Sequence, residues 1–131
     1  MLARLAALVL LALAVPAASA QMLPSGTWTG ETVHDGERQR VEAEIERCET
    51  GFKVALTVDG RTAETETATW TEGRLQFRLP RLRMPGTLLP RPLACKLQAQ
   101  DDGTLGGTCT AGRTAYRLQL TPPADAAFGC D

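Results

Sequence analysis

The 131-residue sequence predicts an all-β fold, a small antiparallel meander of eight strands closed into a β-barrel and preceded by a signal peptide. Three observations predict it. Apolar residues recur at every second position along most of the chain, short turn signals separate these runs, and a helical period is hard to find beyond residue 20.

The amino-terminal segment is read first because it decides what remains to fold. Arg4 precedes an unbroken apolar run from Leu5 to Val15, and Ala18-Ser19-Ala20 fits the small-residue cleavage rule, so cleavage after Ala20 is expected. Eleven apolar residues fall short of the roughly 20 that a membrane-crossing helix needs, so no transmembrane segment is expected. Residues 21–131 are then a single barrel domain with a carboxy-terminal tail at 121–131, in the periplasm or outside the cell. All four cysteines, Cys48, Cys95, Cys109 and Cys130, lie in this part, and an even count in an exported small domain argues for two disulfides. The wide spacings, the absence of C-x-x-C and a single histidine, His34, argue against a metal site, and no cofactor is expected.

Without Arg4 the domain has 13 basic and 15 acidic residues, no excess with which to hold phosphate backbones, so nucleic acid is not an expected partner. The charge is nonetheless uneven. Residues 31 to 72 carry eleven carboxylates against five cations, whereas Arg74, Arg78, Arg81, Arg83 and Arg91 follow one another with no acid between them. Solvated strand faces are the ordinary explanation of such a bias.

Strands are expected at 26–33, 40–48, 52–58, 63–71, 74–79, 92–100, 104–110 and 113–121. Val41, Ala43 and Ile45 alternate with Arg40, Glu42, Glu44 and Glu46, which puts the carboxylates on a wet face and the apolar groups on a dry one. Phe52, Val54, Leu56 and Val58 repeat the pattern, as do Leu75, Phe77 and Leu79, then Leu93, Cys95 and Leu97, then Tyr116, Leu118 and Leu120. In 63–71 the inward face is ambiguous between Thr65, Thr67, Thr69 and Thr71 and the Ala68, Trp70 side. Asp35-Gly36, Asp59-Gly60, Glu72-Gly73, Asp101-Asp102-Gly103 and Ala111-Gly112 supply turn residues that tolerate positive φ. Strands joined this tightly are antiparallel neighbours, and closing the sheet removes both exposed edges.

The hairpin at Asp101 to Gly103 tests the disulfide reading. With a three-residue loop, positions summing to 204 face each other, which sets Cys95 opposite Cys109 within bridging reach. The remaining pair, Cys48–Cys130, would clip the tail to the second strand.

Gly26-Thr27-Trp28 opens the first strand, and Gly103-Thr104-Leu105-Gly106-Gly107-Thr108 spans the late hairpin. Both phrases resemble the lipocalin-like and avidin-like group of up-and-down barrels. That resemblance implies an eight-stranded barrel that binds a small molecule, with Trp28 plugging one end and Arg117 or Arg113 packing over it. The chain departs from the group in being shorter than a lipocalin and in lacking the several tryptophans of a biotin site. In size and class it is also similar to periplasmic inhibitors of proteases or lysozyme.

Catalysis is not expected: Ser25 is the one serine of the mature part, His34 stands in a turn, and Glu42, Glu44 and Glu46 share a wet face. Two non-enzymatic readings remain. In the first, an exported barrel holds a small apolar molecule in or at its mouth, lined by Trp70, Phe77 and Leu79, with Leu82, Met84, Leu88 and Leu89 of the proline-bracketed segment 80–91 as a lid. In the second, the same segment contacts a protein partner, as an inhibitor or accessory subunit would. A lined cavity favours the first reading and a filled interior excludes it. A monomer is expected in either case.

Overall fold

The structure is a computed structural model and describes residues 23–48 and 51–124. The expected signal peptide, most of the tail and the Cys48–Cys130 bridge, which needs Cys130, lie outside the described residues. Eight strands follow one another: β1 (Gly26–His34), β2 (Glu37–Cys48), β3 (Gly51–Val58), β4 (Arg61–Thr71), β5 (Arg74–Leu82), β6 (Arg91–Ala99), β7 (Leu105–Ala111) and β8 (Thr114–Thr121). Each pairs antiparallel with the next, and β1 pairs with β8 from Thr29↔Thr121 to Val33↔Arg117, so the barrel is closed.

The turns explain the tight connections. Asp35-Gly36, Asp59-Gly60 and Glu72-Gly73 are two-residue loops in which both residues have positive φ, at 51° and 78°, 52° and 76°, and 54° and 76°. This is the primed geometry whose twist matches that of paired strands, and an aspartate followed by glycine reaches it at low cost. The β6–β7 loop has three residues, closed by Gln100 N–H donating to Thr104 O at 2.8 Å, with Gly103 at φ 88°. Positions summing to 204 face each other throughout that hairpin, from Ala94↔Thr110 to Ala99↔Leu105.

Two bulges account for what the alternation leaves open. In β4 the register shifts between Phe52↔Ala68 and Val54↔Thr65, so one extra residue enters the strand. Ala63 and Thr65 point inward before the shift and Ala68 after it, which is why neither set of alternates reads as the dry face over the whole run. The Thr65 hydroxyl accepts the Thr67 N–H at 3.2 Å, serving a backbone group beside the irregularity. In β5 the register shifts between Leu79↔Leu93 and Leu82↔Arg91. Pro80 therefore does not end the strand, as the proline bracket suggested: it sits exposed at the bulge, where no ladder hydrogen bond is asked of it, and Leu82 returns to the inside.

The interior is packed by the alternates that the pattern identifies. Ala43, Ile45, Val54, Leu56, Val58 and Leu75 have no exposed surface, and Trp28, Leu79, Leu97, Tyr116 and Leu120 have almost none. Outside, Glu42, Glu44, Arg74, Arg78 and Lys96 are exposed where a membrane-spanning barrel carries an apolar band. No helix among the described residues is long and apolar enough to cross a membrane.

Cys95 and Cys109 face each other and are bonded, with Cα atoms 4.0 Å apart and both side chains inside the barrel. Replacing both by alanine is expected to lower the unfolding free energy by about 2–4 kcal/mol in denaturant titrations, while the β-sheet circular dichroism signal persists. Gly30 and Gly107 show a different constraint, because a Cβ on Gly30 would run into the Gln119 carbonyl and one on Gly107 into the Lys96 carbonyl. Neither obstacle is a flexible side chain. Gly107→Ala is expected to cost about 2–4 kcal/mol by thermal unfolding, and a change under about 0.5 kcal/mol would contradict this close approach.

Candidate functional site

The two ends of the barrel are built differently. At one end the chain entering β1 folds over the core: Leu23 is buried, Trp28 Nε1 donates to Pro24 O at 3.0 Å, and the buried Ser25 hydroxyl accepts the Arg47 N–H at 3.1 Å. Trp28 is thus buried at this end, beneath the chain that enters β1. Arg117 is not brought to it, since it is exposed on the outer wall opposite Thr108 and Val33, and Val33 lies five positions along β1 from Trp28. Arg113 stands exposed in the turn between β7 and β8 and is likewise remote from Trp28.

The other end is closed by loop 83–90. Met84-Pro85-Gly86-Thr87 forms a turn in which Thr87 N–H donates to Met84 O at 3.2 Å and Gly86 takes φ 83°. Proline presets the first central residue of such a turn and glycine supplies the positive φ of the second. The Thr87 hydroxyl also donates to Met84 O at 2.6 Å, and Arg83 Nε donates to Thr87 O at 3.2 Å. Met84 is buried and Leu82 is buried beside the strand end, so the loop is anchored downward into the core. Tyr116, itself buried, holds it from beneath by donating its hydroxyl to Pro85 O at 3.1 Å. The Tyr116 ring lies 4.7 Å from that of His34, whose Nδ1 is 3.2 Å from Ala115 O.

These anchors leave Leu88 and Leu89 on the surface, 88% and 70% exposed, the exposed large hydrophobic side chains among the described residues. Of the residues expected in a lid, Leu82 and Met84 are buried and Leu88 and Leu89 are exposed. Among those considered as a lining, Phe77 and Leu79 are buried in the core. Trp70 packs partly buried against the core next to the Glu72-Gly73 turn, at the end opposite the loop. No chamber is thus formed under the loop by these three. Polar groups inside are sparse: Thr65 and Thr32 are buried, and the Thr32 hydroxyl has no hydrogen-bond partner.

Two depressions open on the outer wall. One of about 490 Å³ lies over β7, β8 and β1 beside Gly106 and Gly107, and another of about 500 Å³ lies over β4 to β7 beside Arg78 and Lys96. A smaller one of about 140 Å³ separates Met84-Pro85-Gly86-Thr87 from Asp59 and Arg61. No group of three or more metal-ligating side chains occurs among the described residues. The sequence pattern did not point to the outer grooves, because they arise from small residues on the wet face, Ala94 and Gly106.

Compared with known proteins, the chain matches no family model, no curated protein and no solved structure. The closed antiparallel eight-stranded barrel is consistent with a calycin-like architecture, and that architecture is as far as the likeness reaches.

Burial of the Tyr116 phenol pushes its pKa above the ordinary 10.0, with Arg91 opposing and Asp35 adding to the shift. The unfolded chain then releases this proton at lower pH than the folded one, so the stability present below pH 10 is lost as pH rises through the folded value. Tyr116→Phe is expected to cost about 1 kcal/mol at neutral pH through the lost hydrogen bond and to show a shallower fall in stability above about pH 10. Chemical denaturation across pH 8 to 11.5 checks both, and parallel curves for the two proteins would contradict the assignment.

Proposed function

We propose that the protein is a protein-interaction module, an inhibitor or accessory subunit, whose contact element is loop 83–90. The observation that carries this reading is the exposure of Leu88 and Leu89 on a loop that is held at Met84, Pro85 and Thr87. A loop already ordered by Met84, Thr87 and Tyr116 gives up little conformational freedom on binding, so more of its contact energy appears as affinity. Burying two leucine side chains in a partner's socket contributes about 3–6 kcal/mol. Arg81, Arg83 and Arg91 flank the pair, so the complementary socket has an acidic rim. A disulfide inside the barrel is consistent with an oxidising compartment, the periplasm or the outside of the cell, as the place where such a partner is met.

The reading of a small apolar molecule held in the barrel remains compatible with the fold but has less support, because Phe77 and Leu79 are taken up by the core and Trp70 stands at the end away from the loop. Leu88→Asp with Leu89→Asp separates the two readings. Protein purified from the producing cells' exported fraction is expected to carry a stoichiometric protein partner that the double variant loses, with affinity reduced at least about 100-fold. Native mass spectrometry that instead finds a small-molecule mass, kept by the double variant, would overturn the proposal, as would partition of the wild type onto anionic vesicles without any protein partner.

A further inference from the structure

Charge is divided round the barrel by strand. β2 alone carries Glu37, Glu42, Glu44 and Glu46, whereas β5, β6, β7 and β8 contain no aspartate or glutamate and carry Arg74, Arg78, Arg81, Arg91, Lys96 and Arg117. Half of the wall is therefore cationic although the whole chain has a net charge of −1.

The cations of this wall lie beside grooves. One cross-strand row reads Gln76↔Lys96, Lys96↔Thr108 and Thr108↔Arg117, and the next row reads Arg78↔Ala94 and Ala94↔Thr110. Ala94 removes the side chain between Arg78 and Thr110, which leaves the groove of about 500 Å³ bordered by Arg78, Lys96 and the hydroxyls of Thr67, Thr69 and Thr110. Across Thr108 the second groove, of about 490 Å³, continues over Gly106 to Arg117 and Gln119, and its far side is lined by Glu31, whose carboxylate is paired with Arg38 at 3.5 Å. With neighbouring strands about 4.8 Å apart, Lys96 and Arg117 are about 10 Å from each other along a path that crosses β6 to β8. Among the described residues the ion pairs are His34–Asp35 and Arg38–Glu31, and Arg78, Lys96 and Arg117 have no carboxylate within ion-pairing distance.

We propose that this wall binds an anionic polysaccharide lying across the strands, its acid groups on Arg78, Lys96 and Arg117 and its hydroxyls on the threonines and glutamines between them. The first groove offers hydroxyl, amide and cationic side chains, which suits a chain rich in hydroxyls and acid groups. A peptide strand has less to hold, since β6 and β7 are paired on both sides and offer no free edge. Sulfate esters and uronate carboxylates share this chemistry.

Fluorescence anisotropy of the full chain with labelled oligosaccharides tests the proposal: a heparin-derived octasaccharide, an oligogalacturonate, a neutral dextran fragment and a DNA duplex of similar length. The expected result is salt-sensitive binding of one or both acidic glycans, the stronger naming the acid group, with the dextran unbound. Arg78→Gln with Lys96→Gln is expected to weaken binding about tenfold or more, while Arg40→Gln with Arg47→Gln on the acidic wall changes it less than about twofold. Leu88→Asp with Leu89→Asp is expected to leave it unchanged, so this proposal and the loop reading fail separately. No glycan binding at low salt by protein with an unaltered thermal transition, equal losses from both pairs of variants, or tighter binding of the duplex would overturn it.

Discussion

The pairing of β1 with β8 is the constraint on which everything else in this molecule depends. It turns a meander with two unpaired edges into a wall without any, and it divides every strand into an inner and an outer set of side chains. Gly30 lies at this seam, opposite both Val41 and Leu120, and the Gln119 carbonyl occupies the space its side chain would need. Closure at eight strands fixes a diameter that side chains can fill. Trp28, Ile45, Leu56, Phe77, Leu97 and Tyr116 fill it, with the Cys95–Cys109 bond as part of the packing.

Buried side chains pack the core, and on the surface the same closure produces two distinct features. At one end the wall runs out into loop 83–90, and its downward anchors leave two adjacent leucines in solvent. Along the side, the strands after Glu72 carry cations without acids, and alanine and glycine on the wet face open grooves between them. The central contact groups differ, Leu88 and Leu89 on the loop and Arg78, Lys96 and Arg117 on the wall, and neither asks the barrel to open.

Much of the fold was legible in the sequence because its signals are local and periodic. The alternation Val41-Ala43-Ile45 identifies a dry face directly, aspartate followed by glycine marks two of the turns, and a three-residue loop fixes the register that pairs Cys95 with Cys109. The bulges were not legible, because one extra residue reverses the parity of a strand without interrupting its composition. Hence the ambiguity over Thr65 and Ala68, and hence Pro80 read as a break when the strand runs on to Leu82. The candidate site was legible in part: the 80–91 segment stands out by its broken alternation. Which of its apolar residues turn inward depends on Tyr116 reaching Pro85, a contact 31 positions distant that no local pattern carries. That Trp70 lies far from this loop follows only from knowing which turns share an end.

Closure is tested most directly by nuclear magnetic resonance at the seam. Backbone proton contacts between Gly30 and Leu120 and between Thr32 and Leu118, with amide exchange in β1 and β8 as slow as in the inner strands, are the predicted result. Absence of those contacts, with fast exchange confined to β1 and β8, would show an open sheet and contradict the account.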